Sequence, residues 1–225
     1  MTLQRLARLA WPAVPAKAVL VVPLGATEQH GPHLPIGTDT AVAEALADRL
    51  AAARPDVLVA PALAYGSSGE HADFAGTLSI GQAGFALVVT ELVRSADAFA
   101  GTVLVSAHGG NAVPLARAVD TLTAEGRRVL AWSPRPLAGG DAHAGRTETS
   151  LMLAIAPSDV AVDAAERGDP RPITELAASL RSGGVRSVSP NGVLGDPHGA
   201  SAAEGHRLLD GFAADLIAAV NAWMA

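Results

Sequence analysis

Apolar residues along the chain fall into two alternating arrangements. Short runs rich in valine and leucine, Ala18–Val22, Val57–Ala60, Thr102–Ser106 and Arg128–Trp132, have the length and β-branched content of buried strands. Longer Ala- and Leu-rich stretches separate them and read as helices: Thr40–Ala53 stopped by Pro55, Ala83–Ala100 with apolar Phe85, Val88, Val89, Leu92 and Val93, Val113–Ala124, Glu148–Ile155, and a closing helix Ala202–Trp223. Thr38 or Asp39 is placed to start the first helix and Asn111 to cap the third. Residues 160–197, rich in Pro, Gly and Ser, predict loops with one short helix near Glu175–Leu180. Strands joined by helix-length connections pair in parallel. The expected fold is therefore one α/β domain over residues 1–225 with a largely parallel sheet, and a site at its strand ends.

Composition narrows the function. The 16 Lys and Arg against 22 Asp and Glu give a net charge of −6, and no basic run exceeds Arg127-Arg128, so nucleic acid is not an expected partner. The apolar runs are far shorter than the roughly 20 residues that span a bilayer. The N-terminal stretch Met1–Trp11 lacks the apolar core and cleavage site of a secretory signal, which points to the cytoplasm. With no cysteine, any metal falls to His, Asp and Glu. Neither a GxGxxG or phosphate loop nor a nucleophile elbow occurs, which leaves metal-assisted hydrolysis as the economical chemistry.

Potential ligands cluster just after the predicted strands. Glu28, His30, His33 and Asp39 follow the first; His108 stands at the tip of the third, before Gly109-Gly110; Asp141, His143 and Glu148 follow the fourth, in a stretch starting at Gly139. Side chains two apart share a face in extended chain, so Glu28 and His30 can reach one ion. Each cluster alone also reads as loop residues and helix caps, but three strand-tip clusters together favour a site. Imidazole and carboxylate without thiolate suit Zn, Mn or Fe, and a carboxylate such as Asp39 can bridge two ions.

At these residues the chain resembles the creatininase (creatinine amidohydrolase) family. The matching stretches are Pro23–Pro35 with Thr38-Asp39, Gly69–Thr77, His108-Gly-Gly-Asn111, His143–Ser150 and Gly192–Pro197. The resemblance implies a three-layer α/β/α fold, a homo-oligomer and two divalent ions, with Glu28 and His108 on one ion, His30 on the other, Asp39 bridging, and His143 as proton shuttle or oxyanion donor. Creatininase itself has a ligating Glu where this chain has Gly110, and Glu148 is expected to replace it. That departure puts creatinine in doubt as the substrate, and the resemblance, over Asp141–Ser150 in particular, implies instead a modified precursor peptide cut near its C-terminus to release a dipeptide; Arg146, three residues after His143, is the expected partner of its carboxylate. A small cyclic or formyl amide is the alternative substrate, and a non-catalytic metal subunit a third reading. Glu70 and His71 read as a loop held near the site by local hydrogen bonds, His33 as an outer hydrogen-bonding residue, and Asp196, His198 and Glu204 as residues shaping the pocket or a subunit contact.

Overall fold

The computed structural model describes residues 5–135 and 140–225. Met1–Gln4, where the segment read for a secretory signal begins, and Gly139, which opens the third motif, lie outside them. The strands β1 (Val19–Leu24), β2 (Val57–Val59), β3 (Gly101–Ser106) and β4 (Val129–Trp132) form a sheet in the order β2-β1-β3-β4. Every pair is parallel, with Val19 opposite both Val57 and Gly101. The helices are α1 (Thr38–Ala53), α2 (Gly81–Arg94), α3 (Ala112–Ala124), α4 (Arg146–Ile155), α5 (Ile173–Gly183) and α6 (Ala202–Met224).

Alternation along the strands creates the layers. Val19, Val21, Val103 and Val105 pack on one face, against residues of α1, α4 and α6 such as Leu46, Met152 and Leu216. Leu20, Val22, Leu24 and Leu104 pack on the other, with Phe85 and Val89 of α2 and Leu115 and Leu122 of α3. Both sheet faces are thus covered, which is why β1 and β3 are buried along their whole length and read as unbroken apolar runs. Each such side chain contributes about 1.5–3 kcal/mol. A smaller cluster, Leu176, Val185 and Leu194, fixes α5.

Three local expectations change. Helix α2 ends at Arg94, not Ala100, because the chain tightens there: Ala96 N–H donates to the Val93 carbonyl (3.0 Å) and the Ser95 hydroxyl to the Leu92 carbonyl (2.7 Å). Helix α1 starts at Thr38, as one expected start had it, but two residues before Thr40 and with Gly37 in the cap position; the Thr38 hydroxyl donates to the Pro35 carbonyl (2.7 Å), so Asp39 lies inside the first turn. Asn111 makes no cap hydrogen bond. Its amide instead donates to the Gly25 carbonyl (3.1 Å) and accepts from Ser67 N–H (2.9 Å), tying together the loops after β1, β2 and β3.

Candidate metal centre

The loops leaving the C-terminal ends of the strands converge on a buried cluster of imidazoles and carboxylates. Glu28 and His30 come from the loop after β1 and Asp39 from the first turn of α1; His71 comes from a 3-10 turn (Gly69–His71), His108 from just beyond β3, and His143 and Glu148 from the segment entering α4. Three of these rings spend one nitrogen on a backbone carbonyl: His30 Nδ1 on Glu28 O (3.1 Å), His108 Nε2 on Ser67 O (3.0 Å) and His143 Nε2 on Gln29 O (2.9 Å). A carbonyl only accepts, so each of those nitrogens carries the proton and the neutral ring's other nitrogen carries a lone pair.

Those lone-pair nitrogens face carboxylate oxygens. His30 Nε2 lies 3.2 Å from Asp39 Oδ1 and 4.0 Å from Glu148 Oε2. His108 Nδ1 lies 3.1 Å from Asp39 Oδ2 and 3.2 Å from Glu28 Oε1. His143 Nδ1 lies 3.9 Å from Glu28 Oε1 and 4.0 Å from Glu148 Oε2. Lone pairs set against anionic oxygens call for a cation between them, and both Glu28 carboxylate oxygens and Asp39 Oδ2 are buried without a hydrogen-bond partner. The donor set fits divalent ions with N/O preference. Three groups lie within ligand distance of one another: Glu28–Asp39–His108, His30–His143–Glu148 and Glu28–His71–His143. Asp39 directs one oxygen to His30 and the other to His108, the disposition of a bridge.

Electrostatics follow from burial and this pairing. Burial disfavours a charged His30, but Asp39, with Glu148 and Glu28, outweighs it and lifts the ring to about 10. His108 is likewise raised against burial, by Asp39 and Glu28. Burial would raise Asp39, yet His30 and His108 hold it well below the usual carboxylate range. Burial first, and then His30 and His71, keep His143 neutral. Glu148 rises to about 7 by burial, offset by His30.

The cluster floors a cavity of about 980 Å³ that Ile173, Ala177 and Leu180, one face of α5, also line. Glu148 is both cap and site residue: the oxygen facing His30 and His143 also accepts Ala144 N–H (2.5 Å). His33 Nε2 sits 2.8 Å from the Thr149 hydroxyl, behind Glu148. Glu70 fills the space above Gly110, where a Cβ would collide with its carboxylate, with Ser67 O and with His108. His71 is more than a local loop residue, since its Nε2 lies 3.3 Å from Glu28 Oε1. Arg146 corrects the expectation drawn from its nearness to His143: its Nε donates to Glu204 Oε2 (2.8 Å) on α6, and it does not line the cavity. Among the described residues, Arg181 lines it instead. Asp196 and His198 pair with each other at the surface (2.6 Å), and neither they nor Glu204 line the cavity. Gln29, which touches both His71 and His143, was not legible beforehand, because these contacts span 42 and 114 residues.

A three-layer α/β/α fold carrying imidazole–carboxylate groups at its strand tips is suited to hydrolysis at a site able to hold divalent ions. Residues 7–220 match the family model described as "Creatininase: Creatinine amidohydrolase", and the chain belongs to this family. It is 47% identical over 215 residues to the mycofactocin precursor peptide peptidase of Mycobacterium tuberculosis, spanning 91% of this chain and 85% of that one. A solved structure of creatinine amidohydrolase (creatininase) superposes with a TM-score of 0.81 at 25% identity, over 96% of each chain. A mutant creatininase of Zn-Zn type gives 0.80 at 25%, also over 96% of each. The motif resemblance, the layered parallel fold and the reading as a hydrolase are borne out. Among the described residues no helix is long and apolar enough to cross a membrane.

Proposed function

We propose that this chain is a metal-dependent peptidase that hydrolyses an amide bond near the C-terminus of a modified precursor peptide in mycofactocin biosynthesis, releasing a C-terminal dipeptide. The observation that carries it is the buried carboxylate–imidazole cluster, with Asp39 between His30 and His108, on the floor of a cavity large enough for a peptide end. The 47% identity to a precursor peptide peptidase supports the substrate class. Gly110, where the resemblance implies a ligating carboxylate in creatininase, argues against creatinine.

Glu28, Asp39 and His108 would hold one divalent ion, and His30, Asp39 and Glu148 the second; Zn, Fe or Mn suits such donors. Bound ions supply Lewis acidity toward the scissile carbonyl and make water nucleophilic near neutral pH. His143, neutral and with its Nδ1 lone pair turned inward, takes the proton from the attacking water and returns it to the leaving amine. The apolar face of α5 receives the uncharged part of the substrate. We place the enzyme in the cytoplasm as a homo-oligomer; exposed Leu87 on α2 and Val113 on α3 support assembly.

The test is to incubate metal-loaded protein with the modified precursor peptide, simple formamides and creatinine, following products by mass. The expected result is loss of two C-terminal residues from the peptide with creatinine intact. Rapid turnover of creatinine or a formamide with an untouched peptide would establish the small-amide reading instead.

A further inference from the structure

His71 differs from the other three histidines of the centre: it has no backbone carbonyl on a ring nitrogen, and its Nδ1 faces Gln29 Nε2 at 2.8 Å. The orientation of that amide is fixed from two sides. Gln29 Oε1 accepts from Gly31 N–H (2.8 Å), and Gln29 Nε2 donates to the Gly192 carbonyl (3.1 Å). A flipped amide would set oxygen against oxygen and N–H against N–H, losing both bonds. Gly192 has φ +82 and lies so close that any Cβ would collide with the Gln29 amide, so the seat is built for this contact.

The amide has two hydrogens. One goes to Gly192 and one to His71 Nδ1, which therefore bears a lone pair and leaves the ring proton on Nε2, 3.3 Å from Glu28 Oε1. None remains for His143 Nε2, 3.1 Å away, which donates to the backbone carbonyl of the same Gln29. Both rings thus carry the proton on Nε2 with opposite effect: His71 offers the centre an N–H, His143 a lone pair.

We propose that Gln29 is a positioning residue that fixes the tautomer of His71 through its side-chain amide and that of His143 through its backbone carbonyl, so that His71 turns an N–H rather than a lone pair toward Glu28 and does not bind metal. The group Glu28–His71–His143 is then no ion site. The proposal rests on the two-ion reading for its metal consequence; the tautomers belong to the protein itself. Zinc-loaded protein labelled with nitrogen-15 at histidine, with His71 assigned through His71→Gln, should show an unprotonated Nδ1 and a protonated, metal-free Nε2. Gln29→Leu should lower zinc affinity about 10- to 100-fold, as loss of an outer hydrogen-bond partner does, while melting remains cooperative. If that variant fails to fold, Gln29→Glu, which draws the proton to His71 Nδ1, should produce the same weakening. A metal-bound signature at His71 Nε2, or zinc affinity within about twofold of wild type in the variants, would overturn the proposal. Should the wild type bind none of zinc, iron and manganese, the two-ion reading fails, and a proton on His71 Nδ1 in the metal-free spectrum would separately overturn the tautomer assignment.

Discussion

Asp39 reads from sequence as either a helix cap or a ligand, and its surroundings distinguish the two. It makes no cap bond and turns both oxygens inward, to His30 and His108. Asp39→Ala should therefore lose both ions and nearly all turnover, whereas Glu70→Ala should retain metal; metal content and rate of the two variants check this. His143→Ala should keep its ions and slow turnover by about 10²–10⁴-fold, the range for a positioned proton-transfer group, and loss of metal would make His143 a ligand. Arg146→Ala should leave the peptide KM unchanged, because its guanidinium is held by Glu204. Proton linkage gives a further outcome. With His30 raised from 6.5 to about 10, the metal-free fold has this stabilisation in full below pH 6.5 and loses it as pH rises through about 10. Divalent binding displaces that proton, so calorimetry in two buffers of different ionisation heat should detect proton release between those values, and affinity should rise with pH. The candidate ligands were legible because each follows an apolar strand run directly. The parts played by His71 and Gln29 were not, since they depend on which ring nitrogen meets which amide across the fold.

At the scale of elements, strands and long helices were legible from apolar periodicity, and the misreadings lie where hydroxyl and amide side chains choose their partners: Ser95 at the end of α2, Thr38 at the start of α1, and Asn111, drawn from its cap position to Gly25 and Ser67. Helix α5 was anticipated as a short helix in a loop-rich segment, but its role as a cavity wall needed the fold. Ala177→Glu should raise peptide KM about tenfold or more with metal content intact, as placing charge on an apolar contact worth about 1–3 kcal/mol would do. Helix α4 begins under Asp141, whose carboxylate accepts the backbone N–H of Arg146 and, at 3.2 Å, of Thr147. Asp141→Ala should cost about 0.5–2 kcal/mol in thermal unfolding. The same change should weaken metal binding, because α4 carries Glu148.

At the scale of the molecule, parallel strands bring all loops that leave their C-terminal ends to one side, so residues far apart in sequence, from Glu28 to Glu148, meet at one end of the sheet. This convergence was legible as soon as the sheet was read as parallel. How the loops interlock was not, because Asn111 and Gln29 fasten them through single amide groups. The centre so formed sets three buried rings against three carboxylates; protons on His30 and His108 hold those carboxylates in the metal-free protein, and divalent ions would take their place. Elemental analysis of protein purified without added metal, paired with its specific activity, tests this most directly. The account predicts two divalent ions per chain, activity lost on chelation and regained on reloading; full activity at one ion per chain, or in metal-free protein, would contradict it.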